Sequence, residues 1–341
     1  MGAVALALGI AVAGTVEAAP VASAHRPAVV NRDLKVAVIA TGLDGNVNPD
    51  DIAQLGTGVF VGYQNGIGAT GSPAAGTGVT KSTIVEYRDK HVVGSWHVTG
   101  KCDGLAGDPA TGQILASVNE DGNSSIYTIN PITNEVVHFT YNVDPTSLGG
   151  GGTDAISVSE GRILISGSNP SAANAPAVYS VALDKTTRVA TLTPVFADNA
   201  TANGPSGPVT LHLTDPDSNA FVPWTSPQYG GDFALVSQAD AQVIFVRDPG
   251  TAVQTLTQLP IGTNVDDITW VTSTTGSLFM TDNSTNTLYQ ISGAFTVGTV
   301  FVDTASDSGV PGTLSMLNLT TGQVTPIVVG FTSPHGLRFV G

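Results

Sequence analysis

Apolar residues along the chain gather in short runs rich in Val, Ile, Thr and Tyr, and each run is bounded by Gly, Asn, Asp or Pro. KVAVIAT (35–41), GVFVGYQ (58–64), STIVEYR (82–88), QILASV (113–118), SIYTIN (125–130), EVVHFTY (135–141) and RILISGS (162–168) all have this form. β-Branched and aromatic side chains suit a pleated, half-buried surface and the bounding residues suit turns, so each run reads as a strand. Beyond the apolar leader, no stretch keeps the helical apolar period of about 3.6 residues over three turns. The pattern predicts an all-β chain.

The strands also recur in a larger unit. An acidic residue or a histidine followed by apolar positions opens PDDIAQL at 49, CDGLAGD at 102, TDAISVS at 153, PDSNAFV at 216, VDDITWV at 265 and PHGLRFV at 334. The marked residues Asp51, Asp103, Asp154, Asp217, Asp267 and His335 lie 52, 51, 63, 50 and 68 residues apart. Repeats of roughly 40–50 residues with four strands each are the signature of β-propeller blades. The expected architecture is six four-stranded blades, with a β-sandwich or another blade number as alternatives. Strand 35–41 precedes the first repeat and the chain ends inside PHGLRFVG. Pairing of N- and C-terminal strands in one closing blade would remove the open edges of the ring. That blade is short of strands and is expected to borrow from 297–330, and 194–213 reads as an insertion.

Composition narrows the function classes. Of 341 residues only 11% are charged, and 27 acidic against 12 basic residues give a formal charge of −15. With no basic patch to neutralise phosphates, nucleic acid is excluded as a partner. Forty glycines and twenty prolines exclude a helical bundle. The run AVALALGIAVAG (3–14) and Ala22-Ser23-Ala24 read as the apolar region and cleavage site of a secretory signal peptide over 1–24. Twelve apolar residues are too few to cross a bilayer, so no transmembrane segment is expected. The reading is an exported, extracytoplasmic protein with an N-terminal extension over 25–34 and one propeller domain over 35–341. The single cysteine, Cys102, permits no intrachain disulfide and reads as a small buried apolar residue.

CDGLAGDPATGQILASVNEDGNSSIYTI and SPHGLRFV resemble blades of the NHL-repeat and senescence-marker-protein/gluconolactonase propellers. The resemblance covers most of 34–341 at blade level. It implies a divalent cation, often calcium, at the mouth of the central channel, held by Glu, Asn and Asp from the starts of inner strands. The matching positions are Asp51, Asp103, Asp154, Asp217 and Asp267, with no Glu on the first inner strand and no Asn among them.

In a propeller the loop entering each inner strand and the loop between second and third strands lie on one face. The five aspartates and His335 should therefore ring one channel mouth, joined by Gln64, Asn119, Glu120, Asp121, Gln238 and Asp282. Two carboxylates about 8 Å apart repel by roughly 2 kcal/mol at an effective dielectric near 20. Several together call for a cation or for raised pKa values, and oxygen-only ligands suit Ca²⁺ or Mg²⁺. The plainer alternative has each aspartate capping its own turn. His335 is the histidine at a repeat position, where it could act as a general base. Gly66-Ile-Gly68-Ala-Thr-Gly71 matches a nucleotide-loop spacing but leads into no helix, so it reads as a loop. The sequence has no GxSxG, HExxH or CxxC motif. Two functions follow: a binding or scaffold module whose acidic, cation-binding face takes a small-molecule or extracellular ligand or a protein partner, or a divalent-metal-dependent hydrolase of the lactonase or esterase type.

Overall fold

The computed structural model describes residues 27–31, 33–42, 45–304 and 311–341; the signal-peptide reading falls outside the described residues. In chain order the strands begin with β1 (Ala28–Val29) and β2 (Lys35–Thr41). Then come β3 (Pro49–Leu55), β4 (Gly58–Tyr63), β5 (Lys81–Arg88) and β6 (His91–Thr99). Next are β7 (Cys102–Asp108), β8 (Gln113–Val118), β9 (Ser125–Asn130) and β10 (Glu135–Tyr141). They are followed by β11 (Thr153–Ser159), β12 (Arg162–Gly167), β13 (Pro176–Asp184) and β14 (Val189–Ala197). A hairpin of β15 (Thr201–Gly204) and β16 (Gly207–Thr210) precedes β17 (Pro216–Phe221), β18 (Phe233–Ser237), β19 (Gln242–Arg247) and β20 (Thr255–Pro260). The last are β21 (Ile268–Trp270), β22 (Ser277–Asp282), β23 (Thr287–Ser292), β24 (Val300–Thr304), β25 (Gly312–Leu317), β26 (Val324–Phe331) and β27 (Pro334–Val340). All seven runs singled out from the sequence are strands, their ends shifted by at most one residue.

Pairing gathers the strands into four-stranded antiparallel units: β3–β6, β7–β10, β11–β14 and β17–β20 in simple succession, then β21-β24-β25-β26 and β27-β22-β23-β2. The innermost strands β3, β7, β11, β17, β21 and β27 neighbour one another in that order and return to β3. The ring is a β-propeller. The β15–β16 hairpin falls within the stretch read as an insertion and hangs on the outer edge of the fourth unit, where Asn203 pairs with Thr257.

Closure brings the N- and C-terminal strands into one sheet as expected, but the strands between them come from elsewhere. The N-terminal β2 and the C-terminal β27 share a sheet but do not pair with each other: β2 pairs with β23, and β27 with β22. The two middle strands come from 277–292, not from 297–330, whose strands β24–β26 complete the unit begun by β21. The chain therefore leaves β21 for the neighbouring sheet, forms its middle hairpin, and returns. The register explains the preference: Leu278 and Met280 lie opposite Phe339 and Leu337, and all four side chains are buried in one cluster.

Each hydrophobic cluster sits between two neighbouring units. Phe60 and Ile84 of the first unit pack with Ile114 and Ile129 of the second. Leu115 and Ile126, from the other face of that second unit, pack with Ile165 and Tyr179 of the third. Middle strands such as β4 and β8 are thus buried on both faces along their whole length, which is why they read as apolar runs and not as a polar–apolar alternation. At the centre the inner strands approach too closely for side chains at glycines such as Gly107 and Gly336. A Cβ on Gly107 would stand 2.0 Å from the Gln54 carbonyl oxygen, and one on Gly336 would stand 2.1 Å from that of Asp50.

Candidate functional site

Five of the six inner strands depart from regular pairing near their first residues. The register shifts between Pro49 and Ile52, Cys102 and Gly104, Thr153 and Ile156, and Pro216 and Asn219, and in β27 opposite Met280 and Asp282. A bulge inserts an extra residue and turns a side chain off the sheet face. The residues taken up in these bulges are Asp50–Asp51, Asp103, Asp154, Asp217 and His335, the repeat positions of the sequence. Asp266 and Asp267 enter β21 at the sixth place.

The bulges, with the entry to β21, bring all five predicted aspartates and His335 to one cavity of about 470 Å³ at the mouth of the central channel. Asp50, Lys101, Glu120, Asp215, Asp266 and Ser333 line it as well. Nine carboxyl groups there face Lys101 and His335. Of the accessory positions read from the sequence, Gln64, Glu120 and Gln238 reach the cavity. Asn119, Asp121 and Asp282 do not line it: Asn119 holds the Lys101 N–H, Asp121 accepts from Asn169, and Asp282 accepts from the N–H groups of Thr332 and Ser333. Below the mouth the channel narrows to about 90 Å³, where Arg338 lies with Asp51 and Asp267.

The aspartates divide by what they hold. Asp51 accepts from the Ile52 N–H of its own strand at 2.5 Å and from the Leu105 N–H of the next inner strand at 2.6 Å. Asp267 does the same with Ile268 and Leu337, both at 2.7 Å, and also accepts from the Ser218 hydroxyl. These two bind inner strands to one another, the capping role extended across a unit boundary. Asp103 pairs with Lys101 at 2.8 Å and accepts from the Glu120 N–H at 3.2 Å; the Lys101 ammonium also meets the Glu120 carboxylate. Asp154 is buried, and its carboxyl lines the cavity. Among the described residues nothing donates a hydrogen bond to it, nor to that of Asp217.

Burial pushes seven of the lining aspartates upward. It raises Asp50 to about 6 against the pull of His335, and Asp215 and Asp267 also to about 6. Asp51, Asp103, Asp154 and Asp217 are raised further, by burial first and then by neighbouring acids, with Lys101 opposing the rise at Asp103 and Asp154. Burial pulls Lys101 down, but Asp103 and Glu120 outweigh it and its pKa lies above the usual lysine value. Cys102 is buried, and burial followed by the Asp103 charge raises its thiol.

His335 stands between two acids. Its Nδ1 is 3.2 Å from Asp266 Oδ2 and 3.7 Å from Asp50 Oδ1, and its Nε2 is 3.0 Å from Ser333 Oγ. Sequence reasoning missed Asp50, Asp266, Ser333 and Lys101. The signal lies in the doubled Asp-Asp of PDDIAQL and VDDITWV, where the second residue marks the repeat and the first reaches the histidine. Among the described residues no group of three His, Cys, Asp or Glu side chains is arranged to hold a metal ion.

No protein-family model matches the chain, and no curated protein is similar to it in sequence. Its likeness is to solved structures. A candidate gluconolactonase matches 90% of this chain and 88% of its own at 9% identity, with a TM-score of 0.51. A Bacteroides thetaiotaomicron protein of unknown function matches 90% of this chain and 71% of its own at 12% identity, also with a TM-score of 0.51. Streptogramin B lyase matches 89% and 91% at 9% identity, with a TM-score of 0.47. The resemblance to gluconolactonase-like propellers holds for the fold.

Proposed function

We propose that the protein is an exported binding module that takes a cationic ligand at the mouth of its channel. The ligand is a calcium or magnesium ion, or the protonated amine of a larger extracellular molecule or protein partner. The observation that carries this reading is the pair Asp154 and Asp217, two carboxyls lining the cavity to which no described residue donates a hydrogen bond. Asp154 is buried and Asp217 half-buried, and a carboxylate so placed without a donor is relieved by a cation or by a proton. With no three-ligand cluster among the described residues, a metal ion would be held through its water shell, which suits magnesium, or by charge alone. The apolar leader with its small-residue cleavage site supports export. A second reading, a lactonase-type hydrolase using the same cation, is favoured by the placement of His335 between Asp50 and Asp266.

The test is the melting temperature of the mature chain in chelator and then with calcium, magnesium or spermidine added. Binding to the native state at 100 times Kd adds about 2.7 kcal/mol, a readily visible shift. A rise with at least one of the three, lost in Asp154→Asn, is expected. No rise with any of them would sink the proposal.

A further inference from the structure

Three side chains of the cavity stand in an order that the cation-binding reading does not use. Ser333 Oγ lies 3.0 Å from His335 Nε2, and His335 Nδ1 lies 3.2 Å from Asp266 Oδ2. All three line the cavity mouth. They are held from three directions. Ser333 is fixed through its own N–H, which donates to Asp282 Oδ1 at 3.1 Å, and through its carbonyl, which accepts from the Asn283 N–H at 2.7 Å. His335 is set by the bulge at the start of β27. Asp266 is held by Gln238 Nε2, which donates to its Oδ1 at 2.6 Å, leaving Oδ2 for the histidine.

We propose that Ser333, His335 and Asp266 form a nucleophilic relay for acyl transfer. A hydroxyl is a weak nucleophile until a neighbouring base takes its proton, and that base must be oriented by a third group. Here Asp266, with Asp50 beside it, keeps the proton of His335 on Nδ1, so that Nε2 accepts. Ser333 Oγ attacks the acyl carbon of an ester or lactone, an Oγ–C bond forms, and the hydroxyl proton passes to Nε2. The bond from carbon to the leaving oxygen then breaks and Nε2 returns its proton to that oxygen. Water attacks the acyl-serine by the same route, giving the carboxylic acid and the free hydroxyl. Asn283 lines the cavity next to Ser333; its amide oxygen accepts from Asn48 at 3.1 Å, which leaves its amide N–H groups to face a developing oxyanion. The short spacing Ser-x-His at the entry to β27 is not that of the familiar nucleophile motifs. The substrate class, an acyl compound with a cationic group near the reacting carbon, rests on the cationic-ligand reading; the nucleophile does not.

The two parts separate with a pair of sulfonyl fluorides, neutral phenylmethanesulfonyl fluoride and cationic aminoethylbenzenesulfonyl fluoride, followed by intact mass and peptide mapping. One adduct per chain on Ser333 is expected with both probes, absent in Ser333→Ala. Adduct formation should be slowed at least about 100-fold in His335→Gln, the range that a general base supplies. Asp266→Asn, which keeps the shape but disturbs the proton on Nδ1, should also slow it, while melting curves show the variants folded. No adduct on the folded wild-type chain, an adduct elsewhere, or an unchanged rate in His335→Gln would overturn the relay. The cationic probe is expected to react about tenfold faster, a gain typical of charge attraction in a charged cleft. Equal rates, with Ser333 still labelled, would overturn the substrate class alone.

Discussion

The Ser166 hydroxyl donates to the carbonyl oxygen of Asp217 across the boundary between the third and fourth units, at 2.7 Å. The same bond recurs at two other boundaries, from Ser117 to the Asp154 carbonyl at 2.5 Å and from Thr281 to the Asp50 carbonyl at 2.6 Å. In each case the hydroxyl comes from a second strand, opposite a bulge, and reaches the first residues of the next inner strand. The bulge that aims an acid into the cavity therefore also frees a backbone carbonyl, and the neighbouring unit satisfies it. Site and ring closure are built from the same few residues.

Replacing Ser166 with Ala leaves the Asp217 carbonyl with one donor fewer in a buried place. The expected loss is about 1–2 kcal/mol, the range for removing one partner of a buried hydrogen bond. Urea unfolding of Ser166→Ala against wild type measures it, and a midpoint that does not move would show that the bond carries no net stability.

Asp267 and Asp154 predict opposite phenotypes. Asp267→Ala removes the acceptor for the Ile268 and Leu337 N–H groups and the Ser218 hydroxyl, and is expected to destabilise the chain by about 2–3 kcal/mol or more. Asp154→Asn removes a buried charge with no donor and is expected to leave the melting temperature unchanged or raised in the absence of cations. Calorimetry on the two variants checks both signs; the reverse order would contradict the division between binding and capping acids.

The raised acids set a pH dependence. Asp50, Asp215 and Asp267 have native values near 6 against a usual value near 3.8, so between these limits the native chain binds more protons than the unfolded one. Stability then falls as pH rises. The contribution is full below about pH 4 and is lost through pH 6 and above. Without added cations the melting temperature should be higher at pH 4.5 than at pH 7.5, and calcium or magnesium should narrow the gap. A melting temperature that rises steadily from pH 4.5 to 7.5 would contradict this.

Gly336→Ala tests the closeness of the closing strand. Its Cβ would lie 2.1 Å from the Asp50 carbonyl and 2.8 Å from the Asp51 Cα, both backbone atoms that cannot rotate away. The expected cost is about 3 kcal/mol or more, at the upper end for overpacked sites. Guanidinium unfolding measures it. Gly161→Ala is a poor control because its φ is +76°.

Much of this protein was legible before folding. The strand runs, the repeat and the positions Asp51, Asp103, Asp154, Asp217, Asp267 and His335 follow from local pattern, because turn residues, β-branched runs and strand-entry acids act within a few neighbours. The repeat also implies one face, since equivalent positions of a ring point to the same end. Three things needed the tertiary structure. The closing sheet takes β22 and β23 from inside the fifth unit, a choice made by the fit of Leu278 and Met280 against Leu337 and Phe339 and carried by no local signal. The division of the aspartates into strand clamps and unpartnered acids depends on which N–H groups of a neighbouring strand lie within reach, as Leu105 does for Asp51. The line Asp266–His335–Ser333 joins residues nearly seventy positions apart in sequence that meet because β21 and β27 are adjacent around the channel. Spacing along the chain carries periodicity, whereas distance between side chains is set only when the ring closes.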